Sequence, residues 1–261
     1  MDCQLIVDYD GKWRFWFILG LAFSISLIIM NLDPIAQDTS YHDFVDFRKM
    51  FGVSNFWNFI SNLPFILVGF LGIVRCQRAG RKKVSLFNQA EFTFFMGIFL
   101  TGFGSAYYHL APDNETLVSD RIPMTIAFMA FSSMIVQEYL NREWGKKLLA
   151  PLLFLGVCSV FYWAITENLG YGDLRPYILV QFLPILIFPV TIFLLKSERF
   201  TRIDMLIFLL FYLAAKVFEH FDLGIYDFGN LVSGHTLKHF AAAAGGYWLL
   251  KVLNNATKIF P

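Results

Sequence analysis

The sequence predicts an all-α integral membrane protein, a polytopic bundle of transmembrane helices. Of its 261 residues, 57% are hydrophobic and only 16% are charged, whereas soluble chains are about 45–50% apolar and about 25% charged. The apolar residues are also grouped in repeated runs long enough to cross a bilayer, which takes about 20 residues in a helix. We expect residues 1–261 to form a single integral-membrane domain.

Eight such runs follow one another along the chain. No small-residue cleavage site follows the first, and it is longer than the apolar part of a secretory signal, so we expect a retained helix. Several later runs contain proline, which transmembrane helices tolerate because neighbouring helices satisfy the freed carbonyl groups. The runs cover residues 13–32, 56–74, 91–111, 120–139, 148–166, 176–195, 203–221 and 231–253.

Basic residues are unequally divided between the two sets of connections. Both termini and the loops on their side contain fifteen lysines and arginines, whereas the opposite loops contain four. Because basic loops stay on the cytoplasmic side, we expect both termini to be cytoplasmic. This bias fits a bacterial inner membrane and a eukaryotic internal membrane equally.

Charge and cysteine content exclude two classes of function. A net charge of +1 provides no basic surface for nucleic acid, which usually requires a strongly raised pI. The three cysteines are scattered and odd in number, so they form neither a disulfide framework nor a thiolate metal site. They are Cys3, Cys76 and Cys158.

Three of the five histidines lie at one end of the predicted bundle. His109 is close to the end of its span, while His235 and His239 lie four residues apart near the start of the last span. A spacing of four places two residues on one helix face. Ionisable residues inside spans are costly and indicate function, and three neutral imidazoles with an open fourth position are typical of catalytic zinc. We therefore predict a zinc site near the non-cytoplasmic face.

Two further polar residues are predicted at the same depth. Ser105 precedes His109 by one helical turn, and Asp120 opens the next span. We expect Asp120 to hydrogen-bond the water on the zinc ion and to transfer its proton. Ser105 is expected to donate a hydrogen bond to the oxyanion that forms on a polarised carbonyl.

Structural alternatives remain open for these residues. The histidines would then be interhelical hydrogen-bonding residues. Asp120 would pair with Arg121 or cap its helix, and Ser105 would be a small residue at a close helix contact. Glu219 and Asp222, at the same level, either orient an imidazole or are simple helix-end charges.

The polar segments resemble motifs of the CREST superfamily, most closely its alkaline ceramidase branch, and the stretch 55–62 resembles the start of that family's first core helix. The resemblance implies a seven-helix core over residues 56–253 and hydrolysis of the amide bond of ceramide, a lipid that stays in the bilayer. It also implies that His109, His235 and His239 bind zinc, with Asp120 as acid/base and Ser105 as oxyanion stabiliser. The motifs are Gly104-Ser105-x-x-x-His109, Asp120-Arg121-x-Pro123-Met124 and Ser233-Gly-His235-x-x-x-His239.

Two features depart from that family. The span at 13–32 has no counterpart and makes an extra N-terminal helix. The family's calcium site, just before the first core helix, uses Asp, Glu and Asn together with a later Glu. Here Asp43 and Asp46 have a different spacing, and Asn55 stands where the later Glu would fall. Fewer anionic ligands lower calcium affinity, so calcium binding stays open.

Two other functions remain open at this point. Within the same superfamily, lipid-remodelling hydrolases act on ester bonds or glycolipid anchors. Receptors similar to the adiponectin receptors use a zinc pocket to bind a ligand. Those receptors carry a large cytoplasmic N-terminal region, whereas about a dozen residues precede the first span here. We therefore expect an enzyme that cleaves a ceramide-like membrane lipid.

Overall fold

The computed structural model describes residues 12–82 and 88–259, and within these ranges it is helical with no strand. A 3₁₀ turn at Thr39–His42 and a π-helical turn at Val136–Leu140 supplement the α-helices. The α-helices are α1 (Lys12–Met30), α2 (Phe56–Ile60), α3 (Leu63–Lys82), α4 (Gln89–Leu110), α5 (Asn114–Ile135), α6 (Arg142–Asn168), α7 (Arg175–Leu194), α8 (Arg202–His220), α9 (Asp222–Asp227) and α10 (Gly234–Ile259).

The predicted all-α polytopic bundle is confirmed. Eight of the described helices contain 19 to 27 residues, and each overlaps one of the eight predicted runs. Four helical stretches are long and apolar enough to cross a membrane, which indicates membrane association; the exact number of spans stays a prediction. These stretches are Trp13–Met30, Phe56–Gly80, Arg142–Asn168 and Arg175–Leu194.

The core lies between helices α3 to α8 and α10. Large side chains from five of these helices are almost fully buried there: Phe95, Phe131, Phe188, Met205 and Leu249. Helix α1 packs against α7, outside this core. Its aromatic side chains face outward, with Trp16 67% and Phe23 70% exposed, as expected of a helix whose outer face contacts lipid.

Helix α5 begins earlier than the sequence predicted. It starts at Asn114, and Asp113 caps it: the Asp113 carboxylate accepts a hydrogen bond from the Thr116 amide at 2.7 Å, and the Thr116 hydroxyl oxygen accepts one from the Asp113 amide at 3.2 Å. This reciprocal arrangement satisfies two amides of the first turn. Asp120 is the seventh residue of the helix. The prediction that Asp120 opens this helix, and the alternative that it caps it, are therefore wrong.

A buried carboxylate links three elements at the end of the bundle that contains the start of α4. Glu91, 2% exposed, accepts hydrogen bonds from Arg75 of α3 at 2.5 Å and lies 2.6 Å from Arg199, in the connection between α7 and α8. The two arginines are only 11% and 25% exposed. Removing the acidic partner leaves two guanidinium groups uncompensated in a poorly solvated place.

We expect Glu91→Gln to lower the free energy of unfolding by about 3–5 kcal/mol, because breaking a buried ion pair from one side leaves an uncompensated charge. Thermal unfolding in detergent, followed by circular dichroism, measures the change. The matched control is Glu143→Gln, which breaks an exposed pair with Lys146 and should change stability by less than about 1 kcal/mol. Similar shifts in both variants would contradict the prediction.

Candidate metal centre

His109, His235 and His239 meet between the end of α4 and the start of α10. Their ring centroids are 5.0, 5.1 and 4.9 Å apart, and one nitrogen of each ring lies within 4.8 Å of the others. All three residues are buried. Three imidazoles bound to tetrahedral zinc at about 2.0 Å place their ring centroids about 5 Å apart. The arrangement therefore fits a metal ion.

Unsatisfied ring nitrogens give a second indication of a metal ion. Among the described residues, neither ring nitrogen of His109 has a hydrogen-bond partner, and nor does Nε2 of His235, although all are buried. A buried polar atom without a partner destabilises a protein by about 1–3 kcal/mol. A cation at the centre of the three rings would accept one lone pair from each ring, so the donor set could bind a metal ion.

Two glycines allow the helices that carry the imidazoles to approach their neighbours closely. A Cβ atom at Gly104 would lie 2.1 Å from the carbonyl oxygen of Ser119 on α5, and one at Gly234 would lie 2.1 Å from that of Phe218 on α8. Such distances exclude any side chain at either position. The contacts of α4 with α5 and of α10 with α8, beside the centre, therefore require glycine.

Asp222 fixes the start of α10 rather than an imidazole. Its carboxylate accepts a hydrogen bond from the backbone amide of His235 at 2.6 Å. Glu219 binds two lysines, Lys216 at 2.7 Å and Lys238 at 3.0 Å. The Lys238 ammonium in turn lies 3.5 Å from Nδ1 of His235. Glu219 is therefore linked to the His235 ring through Lys238 and does not contact it directly.

Ser61 contacts the centre, although no pattern in the sequence singles it out as a site residue. It lies between α2 and α3, where the predicted run 56–74 is interrupted. Its hydroxyl donates a hydrogen bond to the carbonyl oxygen of Asn58 at 3.0 Å, and its oxygen lies 2.7 Å from Nδ1 of His239. Because the hydroxyl proton is already used, this oxygen accepts the proton of Nδ1–H. The Nε2 lone pair of His239 then remains free for a metal ion.

We expect Ser61→Ala to weaken zinc binding about 10–100-fold, because losing a partner that orients a metal-binding histidine typically has an effect of this size. Competition with a chromophoric chelator measures the affinity. Ser159→Ala is the matched control, since Ser159 is also buried and donates to the carbonyl three residues earlier, at 2.7 Å, without touching a histidine. Equal affinities in the two variants would exclude the orienting role.

Asp120 and Ser105 lie together in the wall of a cavity beside the imidazoles. Both are buried, and their side chains are neighbours where α4 contacts α5. Within the described ranges, Asp120 forms no ion pair with Arg121, whose Nη2 donates to Oε1 of Gln37 at 2.5 Å instead. The alternative in which Asp120 pairs with Arg121 is therefore wrong.

The cavity has a volume of about 390 Å³ and changes character along its length. On α4 its lining passes from Ser105 through Thr101 and Ile98 to Phe94, which spans about 16 Å at 1.5 Å per residue. Helices α5 and α10 show the same change, from Asp120 and His239 to aromatic or small residues. The remaining apolar lining includes Phe65, Phe131, Ile185, Phe208 and Gly246. Such a cavity suits a ligand with one polar group and an aliphatic chain.

The segment before α2 packs over the centre, and two of its residues considered for calcium have other partners. Arg48 binds the Asp46 carboxylate through two hydrogen bonds of 2.8 and 2.6 Å. Asn55 donates to the carbonyl oxygen of His109 at 2.9 Å, while Asp43 is exposed. The Phe44 ring lies 4.6 Å from the rings of His109 and His235. This segment thus shields and positions the imidazoles.

A family model described as Ceramidase matches residues 36–257, which are 222 of the 261 residues. The matched part begins after α1 and contains all three histidines as well as Ser61, Ser105 and Asp120. No curated protein matches the chain.

Proposed function

This chain belongs to the ceramidase family, and we propose that it is a zinc-dependent intramembrane amidohydrolase. Its substrate is ceramide or a related N-acyl sphingolipid, which it cleaves to a long-chain base and a free fatty acid. The observation that carries this proposal is the group of three buried imidazoles beside a cavity that is polar at their end and apolar beyond it. A lipid amide likewise has one polar end, the amide and headgroup, and long apolar chains.

The three histidines would hold the metal ion, and imidazole donors without thiolates suit zinc. Three protein ligands leave one position for water or substrate. A bound zinc ion supplies Lewis acidity, which lowers the pKa of water and polarises a carbonyl group. Ser61 maintains the tautomer of His239 that has its proton on Nδ1 and its lone pair on Nε2. Asn55 holds the backbone of His109 through a hydrogen bond to its carbonyl oxygen.

Asp120 is proposed as the general base and acid. In this role its carboxylate takes a proton from the attacking water and delivers it to the amide nitrogen as the C–N bond breaks. Ser105, beside it, donates a hydrogen bond to the oxygen of the acyl carbonyl as negative charge develops there. The burial of both residues strengthens these interactions, because the site is poorly solvated.

We place both termini in the cytoplasm and the metal centre near the opposite face of the membrane, as the distribution of basic residues indicates. The apolar chains of the substrate would extend from the centre along α4 and α5 towards the middle of the bilayer. The substrate and its two products would enter and leave laterally, since none of them is soluble in water.

The test uses protein purified in detergent. We expect about one zinc ion per chain and release of fatty acid from labelled ceramide, with an ester lipid of the same chain length cleaved more slowly at equal concentration. Faster ester cleavage would support a lipid-remodelling hydrolase instead. Zinc without any lipid turnover, together with tight binding of an external protein, would support a receptor.

A further inference from the structure

Arg121 is a buried cation in the wall of the cavity. It is only 6% exposed and lines the cavity together with Asp120 and Ser105. Over residues 12–82 and 88–259, no carboxylate lies within ion-pair distance of its guanidinium group, and its Nη1 has no hydrogen-bond partner. Burying a charge without an ionic partner is expensive. An anionic ligand beside the guanidinium group would offset this cost.

The guanidinium group of Arg121 is held rigidly. It lies between the rings of Trp163 and Tyr177, 4.1 and 4.5 Å from their centroids. Its Nη2 donates to Gln37, whose own side-chain amide donates to the carbonyl oxygen of Asp38 at 3.1 Å. The two rings and the hydrogen bond at Nη2 hold the guanidinium group in one orientation, and Nη1 is left without a protein acceptor. A group already held in place loses less entropy when a ligand binds.

The charges of the cavity wall favour an anionic ligand. Lys216 and Lys238 share one carboxylate, that of Glu219. Together with Arg121 and Asp120, the ionisable lining carries three positive and two negative charges. A zinc ion at the imidazoles would add to this surplus. In a poorly solvated cavity such a surplus attracts negative charge strongly.

We propose that Arg121 binds an anionic oxygen group of the lipid in the cavity; this inference rests on the proposed function. Two groups have the required chemistry. One is a phosphate or carboxylate on the headgroup carbon of the long-chain base. That carbon is bonded to the carbon that carries the amide nitrogen. The other is the carboxylate of the released fatty acid, which forms beside Asp120. Arginine binds such oxygens with charge-assisted hydrogen bonds.

The headgroup arm of the experiment compares two N-acyl lipids of equal chain length, one with a hydroxyl headgroup and one with a phosphate. We expect the wild-type enzyme to show a KM about 10–100-fold lower for the phosphate lipid, the range for a hydrogen-bonded charged group. Arg121→Gln should remove most of this preference by raising the KM for the phosphate lipid. The control Arg175→Gln changes an arginine paired with Asp173 outside the cavity and should preserve the preference.

The product arm measures binding of palmitate and of hexadecanol, which differ in charge but not in chain length, by calorimetry in detergent. Wild-type protein should bind palmitate more tightly, and Arg121→Gln should weaken palmitate about 10–100-fold without affecting hexadecanol. If zinc alone held the carboxylate, the variant would keep its preference for palmitate. Because this measurement needs no turnover, it distinguishes failure of the subsite from failure of the proposed activity.

A preference for the anionic ligand that survives Arg121→Gln in both arms overturns the inference, as does the absence of any preference in the wild-type protein. If Arg121→Gln loses the preference in one arm and keeps it in the other, the arm with the loss identifies which anion Arg121 binds. If Arg121→Gln does not fold, Arg121→Lys replaces it. That variant keeps the charge but not the planar fork, so the preference should fall several-fold.

Discussion

Replacing His239 with alanine is expected to remove the bound zinc and to reduce fatty-acid release from ceramide to background, while the helical content is unchanged. His239 is the member of the histidine group that also lines the cavity, so its loss changes both the metal-binding group and the wall of the lipid cavity. With two imidazoles left, the site loses one of the three protein ligands that a catalytic zinc requires. Elemental analysis, circular dichroism and the lipid assay measure the three effects separately.

The control for this experiment is His220→Ala. His220 is the last residue of α8 and is exposed, and it belongs to no metal-binding group among the described residues. We expect zinc content and turnover to match those of the wild-type protein. Full activity in His239→Ala, measured beside this control, would end the proposal of a zinc amidohydrolase at this centre.

The positions of the long helices could be predicted because a bilayer imposes a length and an apolar composition on each span. The meeting of His109 with the pair on α10 could also be predicted, although more than 120 residues separate them in the chain. The alternation of span direction places their helix ends at the same depth, and few positions at that depth bear imidazoles. Both inferences use the local composition and the number and direction of the spans, and neither needs knowledge of contacts between helices.

Other features depend on contacts that local sequence does not specify. By its position in the sequence, Arg121 is one of the four basic residues of the outer loops, but it lies inside α5 between aromatic rings from α6 and α7. The run 56–74 predicts Ser61 inside one continuous helix, whereas the helix is interrupted there and the Ser61 hydroxyl reaches His239 of α10. In each case the partner is distant in sequence, so the contact follows from packing alone. Asp113 is different, because Asp is among the residues preferred at helix N-caps and needs no distant partner for that role.

Asp120→Asn should reduce kcat by about 10²–10⁴-fold, the usual contribution of a general acid–base group, while the zinc content stays close to that of the wild-type protein. Asparagine has the size of aspartate and can still hydrogen-bond Ser105, but it cannot accept a proton from water. Asp120 is buried, and none of the ion pairs in the part of the chain that the structure describes contains it. The neutral side chain should therefore leave thermal stability unchanged or slightly raised.

Asp173→Asn is the complementary control. Asp173 is also buried, but Arg175 binds its carboxylate at 2.8 Å. Hydrogen bonds from Arg175 lower the pKa of Asp173, so this group stabilises the fold above its unfolded-state pKa and loses that effect as the pH falls. At neutral pH its asparagine variant should lose stability but keep turnover, the reverse of Asp120→Asn. If both variants lost stability and turnover together, Asp120 would have a structural role and the proton would need another acceptor.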